Sequence, residues 1–132
     1  MRKSILGVVV GLIAWVAVVT VAGLILRVSW PAYASVAAAM TFTLPMLLAR
    51  LSISALATLV TGLIATRIRP RSILVTLMPG VILLVLFIPQ HIMLWPKFPI
   101  WYHLSFLLSL VPLTWAGGKM AVPQSSAGSP PR

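Results

Sequence analysis

The chain has 132 residues, of which 61% are hydrophobic and 8% charged. A soluble domain is roughly 45–50% apolar and about 25% charged, so a water-soluble globular fold is excluded. Ten Lys and Arg face no Asp or Glu, a formal net charge of +10, which removes paired-acid hydrolysis, Ser-His-Asp triads, carboxylate-held metals and the acidic proton relays of many small transporters. Cysteine is also absent, which excludes disulfides, thiol chemistry and lipidation at cysteine.

A bilayer core of about 30 Å needs about 20 apolar residues in a helix rising about 1.5 Å per residue, and four stretches meet that length. The first is the uncharged run from Ile5 to Leu26, bounded by Arg2, Lys3 and Arg27. It exceeds the ~7–15 apolar residues of a signal peptide and is read as a retained anchor. Gly7 and Gly11 form a GxxxG pair on it, continued on the same face by Ala14 and then Ala22, and such small residues let helix backbones approach closely. Trp15, at mid-span, is read as a packing residue.

Residues 28–66 are too long for one span and are interrupted by Pro31, Pro45 and Arg50. A single span from Leu44 to Thr66 is preferred to two spans hinged at Arg50, because residues 51–66 alone fall short of a bilayer. The Ala-rich segment 32–43 is either a short helix at the membrane surface or an extension of the second span. Ser54, Thr58 and Gly62 recur every four residues and make a small-residue stripe for contact within the chain or between chains. Arg50 lies about 9 Å inside the span, near enough to its end for the long stem to snorkel to the headgroups. The other reading of Arg50 is an anion contact inside the bundle, where no acidic side chain exists to neutralise it.

Arg67-Ile68-Arg69-Pro70-Arg71 is a tight basic turn, since the proline biases its predecessor away from helix. The third span runs from Ile73 to Ile92 with Pro79 and Pro89 inside it, which invite kinks. Residues 93–99 read MLWPKFP and form the next turn. The fourth span, from Ile100 to about residue 116, contains Pro112. Beyond Gly117 no periodic apolar face remains, and residues 120–132 are expected to be a disordered cytoplasmic tail. The chain is therefore read as an all-α integral membrane protein, one domain over residues 1–119, with spans at about 5–26, 44–66, 73–92 and 100–116.

Orientation follows the excess of Lys and Arg. Arg2, Lys3, Arg67, Arg69, Arg71, Lys119 and Arg132 fall on one side, and Arg27, Arg50 and Lys97 on the other. The richer side is expected to be cytoplasmic, with both termini there. Trp30, Tyr33, Trp95, Trp101 and Tyr102 then sit at outer span ends and Trp115 at an inner one, as interfacial aromatic belts do. His91 and His103 come to the same outer side. Two neutral imidazoles there suit interfacial hydrogen bonding, a haem or transition-metal contact, or a pair titrating with external pH. A zinc site normally needs three or four protein ligands, so no metal and no cofactor are expected.

Gly7 and Gly11, Leu44-Pro45, the run from Ala57 to Arg67 with Gly62, Pro79-Gly80, Ile88-Pro89 and Phe98-Pro99-Ile100-Trp101 together resemble the layout of a loose group of small bacterial inner-membrane proteins with four spans. The resemblance covers about residues 1–120. It implies a fold and a location, the bacterial inner membrane, and transfers no activity. The chain is also similar in size and span number to the four-span multidrug exporters, but those depend on a glutamate in the first helix, and none is present here.

The expected function is a non-enzymatic accessory or structural membrane component. Arg67, Arg69 and Arg71 would hold anionic lipids at the cytoplasmic face, each contributing about 1 kcal/mol, and the basic charge is assigned to lipid rather than to nucleic acid. Partners are a second copy of the chain or another membrane protein. The alternatives are a subunit of a small oligomeric transporter or channel passing an anion by Arg50, and a haem- or metal-binding subunit using His91 and His103.

Overall fold

The computed structural model describes residues 2–121, which are helical without strands: α1 (Arg2–Ser29), α2 (Pro31–Ala37), α3 (Leu44–Ile68), α4 (Ile73–Met93) and α5 (Ile100–Ala121). All but α2 are long and apolar enough to cross a bilayer. The breaks between them follow proline sterics. Trp30 precedes Pro31 and leaves the helical region, at φ −132° and ψ 88°, because a proline ring clashes with a helical predecessor. Arg69 does the same before Pro70, at φ −129° and ψ 80°. Pro31 then opens α2 in the first turn, where a missing N–H leaves no helix bond unmade. Ser72 caps α4, its Oγ accepting the Val75 N–H at 3.3 Å.

The Ala-rich segment forms its own short helix, α2, and the chain then turns through Met40 at φ 57° before α3 begins. Pro79, Pro89 and Pro112 lie inside continuous helices. In α5 this carries the helix to Ala121, past the end expected near residue 116. Gly117 and Gly118 look like a helix stop in sequence, yet both are buried, and their lack of a side chain lets α5 lie directly on α3 and α4. Of the expected tail, Met120 and Ala121 are the last turn of α5 and residues 122–132 lie outside the described residues.

The long helices alternate in direction. Gly7 lies against Ala65 and Gly11 against Thr61, Thr66 bonds Thr76, and His91 bonds His103. The start of α1, the 69–72 turn and the end of α5 therefore share one end of the bundle, the basic-turn end. Helix α2 and the α4–α5 turn share the other, the α2 end. Helix α3 is central, packed on α1, α4 and α5.

The core centres on Trp15, Ala57, Leu83, Phe106 and Leu110, with Leu47, Phe98 and Tyr102 gathered at the α2 end. Ile5, Ile13, Leu24, Val85 and Leu108 point outward and are more than half exposed, so the outside of the bundle is as apolar as its inside. The interior in turn holds hydroxyls. Thr58, Thr61 and Thr114 are fully buried, and each donates to a carbonyl four residues earlier, at 2.7, 2.8 and 2.5 Å. A helix in lipid satisfies its polar side chains internally in this way.

Candidate functional site

At the α2 end, residues of all five helices line a partly open cavity of about 250 Å³. Arg50, on the second turn of α3, lines it. Its Nη1–H donates to the Tyr33 hydroxyl at 2.8 Å and its Nε–H to the Tyr102 hydroxyl at 3.3 Å. The guanidinium also lies 4.7 Å from the centre of the Phe42 ring, a cation–π distance. Tyr33 and Tyr102 are 3% exposed, so these two are buried partners of Arg50 and not members of an aromatic belt. Trp95, Trp101 and Trp115 remain on the surface.

This arrangement has a local cause. Helix α2 is held across the bundle end by the turn at Trp30 and Pro31, which places Tyr33 above α3. A stacked series of Trp30, Tyr33, Phe42 and Phe98 fixes it there, with ring centres 5.1–6.2 Å apart. Tyr102, on the first turn of α5, reaches Arg50 because α3 and α5 run in parallel from the same end. Further polar groups line the cavity beside Arg50: the Ser54 hydroxyl, the Gln90 amide and His91. Ser54 is 5% exposed, and its Oγ has no hydrogen-bond partner in the described structure.

His91 and His103 come together, as their positions near facing helix ends suggest. Their Nδ1 atoms are 2.7 Å apart, so one donates to the other. Trp95 stacks on His103 at 4.7 Å and Phe106 lies 4.7 Å from His91. Two nitrogens ligating one metal at about 2.0–2.1 Å would sit on either side of it, whereas these two are in direct contact. The pair is a hydrogen-bonded clip between α4 and α5.

The packing residues are used within the chain. A Cβ on Gly7 would stand 3.1 Å from the Ala65 carbonyl oxygen, and one on Gly11 3.2 Å from that of Thr61. The single Thr61 O–H is shared between the Ala57 carbonyl and the Gly11 carbonyl, the latter at 3.0 Å, and Trp15 Nε1–H donates to Thr58 Oγ1 at 3.2 Å. Gly62, by contrast, faces α5, where a Cβ would overlap the Thr114 carbonyl. The stripe of Ser54, Thr58 and Gly62 thus passes from α1 to α5, because each four-residue step advances about 40° around a helix. Gly80, Gly117 and Gly118 are equally tight and belong to the same packing, although their sequence spacing shows no repeat. Arg67, Arg69 and Arg71 are exposed at the other end, near Lys119, whose ammonium lies 4.4 Å from the Trp115 ring centre.

No protein-family model, curated protein or solved structure matches the chain.

Proposed function

We propose that the protein is a non-enzymatic component of the bacterial inner membrane that binds an oxyanion in the cavity at its α2 end. The observation that carries this is Arg50, a half-buried guanidinium lining the cavity in a chain without a single carboxylate side chain. A partly desolvated cation is costly unless an opposite charge meets it. The tyrosines soften that cost but leave the charge in place. They also leave donors over. Two of the five guanidinium N–H groups are used on the phenols, and each phenol oxygen that accepts from Arg50 keeps its own O–H to give. The cavity thus presents several donors, and a ligand rich in acceptors answers them.

The distribution of Lys and Arg supports an orientation with the α2 end outward and both termini and the basic turn cytoplasmic. Arg67, Arg69 and Arg71 then face the anionic inner leaflet. Below the cavity the bundle is closed by the glycine contacts, which supports retention of the anion over its passage. Those same contacts occupy Gly7, Gly11 and Gly62, so a second copy or another membrane partner would meet the apolar outer faces. The hydrogen bond between His91 and His103 argues against their use as haem or metal ligands.

The test is nuclear magnetic resonance of the arginine Nε–H groups in the purified protein. The Arg50 signal, identified by its loss in Arg50→Lys, should shift saturably with inorganic phosphate at millimolar concentration, and phosphate binding should vanish in Arg50→Gln. An Arg50 signal that stays in place would refute the proposal.

A further inference from the structure

The cavity has an open side, and its position says how a ligand gets in. Helix α1 buries only Gly7, Gly11 and Trp15, all in its half nearest the basic turn. From Val16 to Ser29 no residue of α1 is buried. The glycines and Trp15 hold α1 on the bundle, Val18 and Val19 are only partly buried against the core, and the remainder of the helix is more open. Gly23 lies on this stretch and lines the cavity, and a Cβ placed there would meet nothing within 4 Å. Opposite it on α4, Gln90 lines the cavity while exposed on the surface. A gap between α1 and α4 thus leads sideways from the cavity to the lipid-facing surface.

The depth of this gap is that of lipid headgroups. Gly23 is six residues from the end of α1 and Gln90 three from the end of α4, so the gap lies about 5–9 Å below the helix ends at 1.5 Å per residue. Arg50 is six residues into α3, at the same level. Arg27, exposed one turn beyond Gly23, shares its face of α1 and adds a positive charge to the rim.

The cavity walls are divided. One end holds Arg50, Ser54 and the phenols, and the floor is Trp15, Val19, Phe87 and Phe106. A bare inorganic ion gains nothing from that apolar floor, whereas an amphiphile uses both ends. The volume of about 250 Å³ exceeds the ~150 Å³ that accommodates benzene in an apolar cavity. It suits a headgroup with its first methylenes, the remaining tail lying outside in the bilayer.

We infer that the ligand is a lipid-borne phosphate drawn laterally from the leaflet at the α2 end, its headgroup on Arg50 and its tail leaving between α1 and α4. Phosphate is the fitting head because its three terminal oxygens accept from the several donors gathered at Arg50. This rests on the anion-binding reading, and the test separates the two.

Radiolabelled dodecyl phosphate and radiolabelled inorganic phosphate are bound in parallel to the full-length protein in neutral detergent, with dodecanol as a competitor. Dodecyl phosphate should bind at least about tenfold tighter than inorganic phosphate, and Arg50→Gln should weaken it by at least about tenfold, as loss of a hydrogen-bonded charge contact does. Gly23→Leu, at an unpacked helical position that tolerates the side chain, should weaken dodecyl phosphate severalfold more than inorganic phosphate. Equal affinity for both phosphates, each lost in Arg50→Gln, would overturn the lipid source while leaving the anion site standing. Binding of neither would overturn both. Dodecyl phosphate that is displaced by dodecanol or indifferent to Arg50→Gln would reduce the effect to detergent-like partitioning and also overturn the inference.

Discussion

Arg50 is half-buried beside apolar side chains, and its neighbours reduce the cost of burying its charge without cancelling it. Two phenols accept from it and Phe42 offers its ring face, and such contacts stabilise a cation while carrying no full negative charge. The residues Arg50, His91 and His103 were legible in the sequence because charged and titratable groups are rare in it. Tyr33 and Tyr102 were not, since an aromatic near a span end satisfies an interfacial belt equally well. The signal that could have found them is the zero for acidic residues, because an inward arginine must then turn to hydroxyls and rings. The His91 to His103 contact makes a prediction at this same scale. Replacing each by Leu singly and then together, with unfolding followed in mixed micelles, should give a coupling energy of about 0.6–1.7 kcal/mol, the range for polar contacts between membrane helices. Additive effects would show that the two rings do not share a hydrogen bond.

Among the helices, the glycines decide how close the axes lie. Gly62 and Gly117 stand where a Cβ would overlap the backbone of the facing helix, at Thr114 and Leu59, whereas Gly23 faces open space. Gly62→Ala and Gly117→Ala should each destabilise the bundle by about 1–3 kcal/mol, as overpacking does. Gly23→Ala should be neutral or stabilise by up to about 1 kcal/mol, because alanine is the better helix former. Equal effects at the three positions, measured by thermal unfolding in detergent, would contradict the packing described. Hydropathy marked the four long helices, and the prolines at 31 and 70 marked two of the breaks between them. The end of α5 was hidden, since paired glycines followed by polar residues read as a stop. Their burial against α3 and α4 is a tertiary effect that no local propensity records. The exposure of α1 beyond Trp15 was hidden for a related reason. In a span whose lipid face and packed face are both apolar, hydropathy does not separate one from the other.

For the whole molecule, the placement of charge at two opposite ends is what matters. Arg67, Arg69 and Arg71 gather at one end, while Arg50 with its cavity lies at the other, and the lipid proposed for that cavity depends on which leaflet the α2 end meets. The alternation of α1, α3, α4 and α5 puts the ends on opposite faces of any membrane the four helices cross. The measurement that addresses this most directly uses the chain's lack of cysteine. Lys97→Cys, in the α4–α5 turn, and Arg69→Cys, in the basic turn, are exposed to a membrane-impermeant maleimide on intact spheroplasts and again after permeabilisation. Lys97→Cys should react at once and Arg69→Cys only after permeabilisation. Reaction of Arg69→Cys from outside, or of both positions together, would contradict the four-crossing arrangement and the leaflet assigned to the Arg50 cavity.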